Sequence, residues 1–136
     1  MLRTTTRTAA TAAARLFSTS NTAATDVVIV SAARTPIASF NGALSTMSAP
    51  QLGTVAIQEV MTRANLGADE INEVYMGNVV SAMVGQAPAK QAVLGAGLPN
   101  TIPCTTINKV CASGMKSVMM AAQSIMLGNQ NIMLAG

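Results

Sequence analysis

The sequence predicts an α/β fold in which a mostly parallel sheet carries helices on both faces. Short β-branched or apolar runs alternate with longer stretches of helical periodicity, and Gly, Pro or Asn punctuates the joints. Composition agrees: of 136 residues half are hydrophobic and 10% charged, enough apolar material for one buried core and too little charge for a disordered polyampholyte. The expected order is β-α-β-α-β-α-β, with right-handed crossovers between parallel strands.

The first strand is expected at Val27-Val28-Ile29-Val30, a β-branched run closed by Ser31-Ala32-Ala33 that reads as buried on both faces. Arg34-Thr35-Pro36 stops it, and Phe40-Asn41-Gly42 suggests a turn. Ser48 can then cap a helix with Pro50 in its first turn. Leu52, Val55, Ala56 and Val60 give that helix an apolar stripe, Glu59 and Arg63 pair on the opposite face, and Gly67 is expected to end it. Glu73-Val74-Tyr75-Met76 with Val79-Val80 reads as a second strand, interrupted by Gly77-Asn78.

Pro88 to Leu94 reads as a short helix stopped by Gly95 and Gly97, and Thr105 to Val110 as a third strand. A second long helix is expected over Ala112 to Leu127, ended by Gly128-Asn129, with Met115, Val118, Met119, Ala122, Ile125 and Met126 as its buried face. Asn131 to Ala135 is the fourth strand. A parallel strand ordinarily leads into a covering element, so a sequence closing at Gly136 is expected to be truncated.

The net charge of +3 belongs to one end of the chain. Arg3, Arg7 and Arg15 account for it, and the remaining five basic residues balance five acidic ones. With no basic stripe and only one Tyr and two Phe, a nucleic-acid partner is not expected. Residues 1–24 are built from Ala, Thr, Ser and Arg without an acid, which marks a mitochondrial transit peptide, with Arg15-Leu16-Phe17-Ser18 resembling a matrix-processing site. A disordered tail is the other reading. The expected location is the mitochondrial matrix, where both cysteines would stay reduced. No stretch reaches the roughly 18 apolar residues of a membrane span, so a membrane partner is not expected.

Two cysteines and no histidine exclude a disulfide framework, a zinc site and any mechanism using a histidine base from these residues. The glycines do not compose a phosphate-binding G-x-G-x-x-G, the ten methionines read as core filling, and Lys90, Lys109 and Lys116 as solvated charges.

The chemistry lies in Thr106-Ile107-Asn108-Lys109-Val110-Cys111-Ala112-Ser113-Gly114-Met115-Lys116-Ser117, a strand, a corner of small residues and a helix. Cys111 sits at or just before the helix N-terminus, where unpaired amides and the positive dipole end favour a thiolate. Ala112, Ser113 and Gly114 leave a substrate room to approach, as in a nucleophile elbow, although the G-x-S-x-G pattern is absent. Cysteines beside strands are also commonly small buried hydrophobes, and spacing does not choose between the two.

The order of residues does choose. Asn108-x-x-Cys111-Ala112-Ser113-Gly114-Met115-Lys116-Ser117 resembles the acyl-enzyme signature of the thiolase family. Val30 to Ile37 with Phe40-Asn41-Gly42, Met76-Gly77-Asn78-Val79 and Gln86-Ala87-Pro88-Ala89-Lys90-Gln91 resemble other thiolase segments in the same order. The resemblance covers about Asp26 to Gly136 and implies a thiolase-like N-terminal domain at 25–136, incomplete. It also implies acyl transfer through a thioester on Cys111, between an acyl-CoA substrate and either CoA or acetyl-CoA. By the same analogy the Cys111 backbone N–H is an oxyanion donor, and Asn108 and Lys109 lie on a strand that pairs across a dimer.

Coenzyme A and acetyl-CoA are then substrates, with no permanently bound cofactor or metal, and the complete enzyme is a homo-oligomer, dimer or tetramer. In thiolases two histidines and a second cysteine come from the later half. Cys104 does not match that cysteine and reads as structural. The alternative is a catalytically inactive truncated form acting at most as an interaction module. A ketoacyl synthase is a further relative, disfavoured by the wording around Cys111.

Overall fold

The structure, a computed structural model, describes residues 26–136. The transit peptide expected at 1–24 lies outside the described residues.

Helix α1 spans Ala49–Ala64, and its start is set by a reciprocal cap. The Ser48 hydroxyl accepts from the Gln51 amide at 3.4 Å, while the Gln51 side chain accepts from the Ser48 amide at 2.8 Å. Its end differs from expectation. Asn65 adopts the left-handed conformation (φ 53°) and closes the helix, and Gly67 instead leads into a 3₁₀ turn at Ala68–Glu70. Asparagine tolerates that conformation well enough to replace glycine there. Glu59 and Arg63 pair at 2.6 Å in solvent, and Arg63 also donates to the Ala32 carbonyl at 3.1 Å.

Three parallel strands follow, β1 (Glu73–Gly77), β2 (Cys104–Ile107) and β3 (Met133–Ala135), with β1 between the other two. Val74 lies opposite Cys104 and Leu134, and Gly77 opposite Ile107. Helix α2, Pro88–Gly95, packs with α1 on one face. There Ile57 and Met61 of α1, Ala92 and Val93 of α2, Ile71, Val74, Leu98 and Ile102 form the core. Alternation along β1 puts Val74 and Met76 toward that core and Gly77 toward helix α3, Ser113–Met126, so helices cover both faces.

Two sequence expectations are overturned. The run Val27–Val30 forms no strand, and Ile29 is 81% exposed. The run pairs with neither outer edge of the β2-β1-β3 sheet and leaves Val28, Ile29 and Val30 exposed, so no buried surface or ladder offsets the entropy of ordering it as a strand. Among the described residues the sheet therefore has three strands, not four.

Helix α3 also turns the other way. Its buried residues are Ser113, Ser117 and Ala121, whereas Met115 is 69% and Met119 50% exposed, with Val118 and Met126 exposed as well. The close approach to Gly77 is the reason: only a face of small residues fits that distance. The methionines thus divide between roles, Met61 filling the core and Met83, Met115, Met119 and Met126 facing outward.

The remaining strands are shorter than expected. β1 stops at Gly77, because the Asn78 side chain bonds Ser81 and turns the chain, leaving Val79 and Val80 exposed. β2 stops at Ile107, so Asn108 and Lys109 lie in the following turn and not on the strand. No helix of the described residues is long and apolar enough to cross a membrane.

Candidate active site

The turn after β2 is held by two side chains. Asn108 donates to the Val79 carbonyl at 3.1 Å and accepts from the Val110 amide at 3.0 Å. The Ser113 hydroxyl accepts from the Lys109 amide at 2.8 Å and donates to the Val110 carbonyl at 2.6 Å. Between them Val110 stands in the left-handed region, φ 50°, which a β-branched residue adopts at a cost of about 1–3 kcal/mol. Cys111 follows and is exposed. Its side chain is therefore not a small buried hydrophobe but a thiol presented at a corner.

Helix α3 begins directly behind it. Ala112 occupies the N-cap position with no side-chain cap, and the Ala112 and Ser113 amides donate to the Lys109 and Val110 carbonyls at 3.1 Å each. Underneath lies the end of β1. Ser113 is 4% exposed, and the Ser117 hydroxyl donates to its carbonyl at 3.0 Å, so the first turn of the helix is anchored from within. Neither the concavity around Arg63 nor the one between Gly53, Gly77 and Ala92 includes Cys111. The corner is open to a large reagent.

Cys104 has the opposite character. It lies on β2, packs against the core and donates to the Ile102 carbonyl at 3.3 Å. Burial pushes its thiol above the usual range; the Lys90 ammonium pulls it down and the Glu73 carboxylate raises it further. Lys90 is not simply a solvated charge. Its ammonium donates to the Asn100 and Ile102 carbonyls at 2.7 Å each, bracing the loop that enters β2.

The sequence marks Cys111 as a corner residue but does not reveal the clamp made by Asn108 and Ser113. The available signal was a pair of residues that readily bond nearby backbone, flanking a valine beside the cysteine.

Residues 27–136 match the family described as thiolase, N-terminal domain. The chain belongs to the thiolase family. A second comparison joins this sequence match to the fold: a thiolase from Ascaris suum, solved in complex with coenzyme A, superposes with a TM-score of 0.80 at 45% identity, over 82% of this chain and 29% of that one. The thiolase-family chain is also 60% identical over 111 residues to the mitochondrial acetyl-CoA acetyltransferase of Rattus norvegicus, covering 82% of this chain and 26% of the relative. It is 63% identical over the same length to mitochondrial acetyl-CoA acetyltransferase B of Xenopus laevis. The chain thus spans about a quarter of the length of the curated relatives it matches. The layered α/β expectation is borne out, and the family match favours thiolase over ketoacyl synthase.

Proposed function

We propose that these residues are the nucleophile-bearing N-terminal part of an acetyl-CoA C-acetyltransferase acting in the mitochondrial matrix. The observation that carries the reading is Cys111, an exposed thiol at a clamped strand-to-helix corner within a thiolase N-terminal domain. Its sulfur attacks the carbonyl carbon of an acyl-CoA thioester. A sulfur–carbon bond forms on Cys111, the bond to the CoA sulfur breaks, and the proton lost from Cys111 ends on the departing thiol. In the degradative direction the Cys111 sulfur attacks the 3-keto carbon of a 3-ketoacyl-CoA instead. The bond from that carbon to the α-carbon breaks, and the α-carbon takes a proton and leaves as acetyl-CoA. The acyl group on Cys111 then passes to the sulfur of free CoA, whose proton returns to the cysteine. In the synthetic direction the α-carbon of a second acetyl-CoA, its proton taken by a base from the rest of the enzyme, attacks the acetyl carbon. The new carbon–carbon bond forms as the bond to the Cys111 sulfur breaks, and the sulfur leaves with the electron pair. Exchanging one thioester for another is nearly thermoneutral, which is why a cysteine suits the step.

Oxygen charge develops as the carbonyl is attacked, and the Cys111 amide is the donor proposed to stabilise it. Coenzyme A and acetyl-CoA act as substrates, with no resident cofactor required, and the working enzyme is a homo-oligomer. The names of the rat and frog relatives support acetyl-CoA as substrate and a mitochondrial location.

A second reading rests on the absence of histidine from all 136 residues: on their own they are catalytically silent and act at most as an interaction module. One experiment tests the first reading. The full-length protein is mixed with acetyl-CoA, quenched in acid and digested, and Cys111 is expected to carry one acetyl group. An unmodified Cys111, or acetyl on Cys104 instead, would overturn it.

A further inference from the structure

We propose that Ser113 is a positioning residue for acyl transfer: by holding the Val110 carbonyl, its hydroxyl aims the Cys111 amide at the reacting oxygen. The inference rests on the nucleophile reading above and adds a role for a residue that touches no substrate.

The peptide bond joining Val110 to Cys111 is planar. The Val110 carbonyl and the Cys111 amide N–H belong to the same peptide group and point in opposite directions across it. Whatever fixes that carbonyl fixes the amide. Two donors converge on it, the Ser113 hydroxyl at 2.6 Å and the Ser113 amide at 3.1 Å. The peptide on the other side of Val110 is held as well, its amide by Asn108 and the preceding Lys109 amide by Ser113. Val110 is thereby locked at φ 50°, a conformation valine does not choose unaided.

The lock has a rigid base. A Cβ on Gly77 would sit 2.8 Å from the Ser113 Cβ, so the β1 backbone closes directly against this side chain. Ser113 itself is buried and its hydroxyl has both a donor and an acceptor in place. A hydroxyl so placed transmits the position of the sheet to the Cys111 peptide. No acceptor among the described residues takes the Cys111 amide, which leaves it available to a ligand oxygen.

The test compares two reactions of one sulfur in the full-length protein. Acetylation by acetyl-CoA passes through an oxyanion; alkylation by iodoacetamide does not. Ser113→Ala is nearly isosteric, and it is expected to slow single-turnover acetylation of Cys111 by about 10–100-fold, somewhat less than the loss seen when an oxyanion donor is removed outright. Alkylation of Cys111 should stay within about threefold, because thiol attack on carbon needs no oxyanion donor. A second substitution checks the backbone. Val110→Asn favours the left-handed conformation by itself and, placed in the Ser113→Ala protein, is expected to recover most of the lost acetylation rate.

Parallel losses in acetylation and alkylation would mean that Ser113 serves folding alone, and would overturn the proposal. So would an unchanged acetylation rate in Ser113→Ala while Cys111 still acetylates normally, which leaves the nucleophile reading intact. Failure of the parent protein to acetylate Cys111 removes both.

Discussion

Gly77 and Ser113 sit so close that a Cβ on the glycine would lie 2.7 Å from the Ser113 carbonyl carbon and 2.8 Å from its Cβ. Strand β1 and helix α3 therefore meet backbone to backbone, directly under the turn that carries Cys111. Gly77→Ala should force them apart and lower stability by about 1–3 kcal/mol, as overpacking does. Because the Ser113 end of the clamp moves with the helix, the acetylation rate of Cys111 should fall too. Denaturant titration and single-turnover acetylation on the same preparation check both, and a variant as stable and as reactive as the parent would refute the contact.

That contact also explains what the sequence concealed. Helical periodicity placed α3 correctly to within a residue or so, since the spacing of apolar residues marks a helix wherever its face points. It named the wrong face, because hydrophobic pattern reports large apolar groups, and the approach to Gly77 demands Ser113, Ser117 and Ala121 instead. The Ser48 cap was legible, being a local bond between neighbours. The fate of Val27–Val30 was not, since a β-branched run states a preference for pairing and says nothing of whether it meets a partner. Cys111 was legible as a corner residue. Its lock was hidden in a φ angle and two side-chain bonds, which no spacing rule encodes.

The two cysteines should separate by reactivity. Cys111 is exposed, while Cys104 is half-buried with its thiol pushed above the ordinary range, mainly by burial. In the full-length protein iodoacetamide should label Cys111 first, acetyl-CoA should protect it, and Cys111→Ser should reduce turnover to background. Peptide mass spectrometry over a time course decides. Equal labelling of both cysteines at neutral pH contradicts the assignment.

The raised Cys104 thiol has a consequence for stability against pH. The folded protein holds the neutral thiol more firmly than the unfolded chain does, so its contribution is complete below the unfolded-state thiol pKa. It is lost as pH climbs through the folded value. Denaturation midpoints should therefore drop on the alkaline side more steeply in the parent than in Cys104→Ala. Superimposable alkaline limbs would show that the thiol does not titrate as described.

The leader proposed at residues 1–24 can be tested apart from the fold. Arg3, Arg7 and Arg15 are the only charged side chains before Asp26, so a fluorescent protein carrying residues 1–25 is expected to enter mitochondria. Replacing the three arginines by glutamate should leave it in the cytosol. Diffuse fluorescence from the unaltered fusion would argue against the leader.

Residues 1–136 alone should show no measurable cleavage of acetoacetyl-CoA by coenzyme A. They contain no histidine, and losing a general base alone costs about 10²–10⁴ in rate. Turnover within about tenfold of a complete thiolase, a smaller loss than that range allows, would mean another group supplies the base.

The outward face of α3 can be read by oxidation. Peroxide converts exposed methionine to its sulfoxide and spares methionine packed in a core. In the 136-residue chain Met115, Met119 and Met126 stand in solvent, whereas Met61 is 9% exposed and sits in the cluster with Ile57 and Val74. Dilute peroxide should therefore oxidise the three helix methionines at rates near those of the chain unfolded in urea, and Met61 several-fold more slowly. The contrast isolates orientation from composition, because all four residues lie on helices and differ chiefly in burial. If α3 instead buried the side its apolar periodicity marks, Met115 and Met119 would be protected along with Met61. The same measurement on a longer thiolase chain would then report directly whether further polypeptide covers this face.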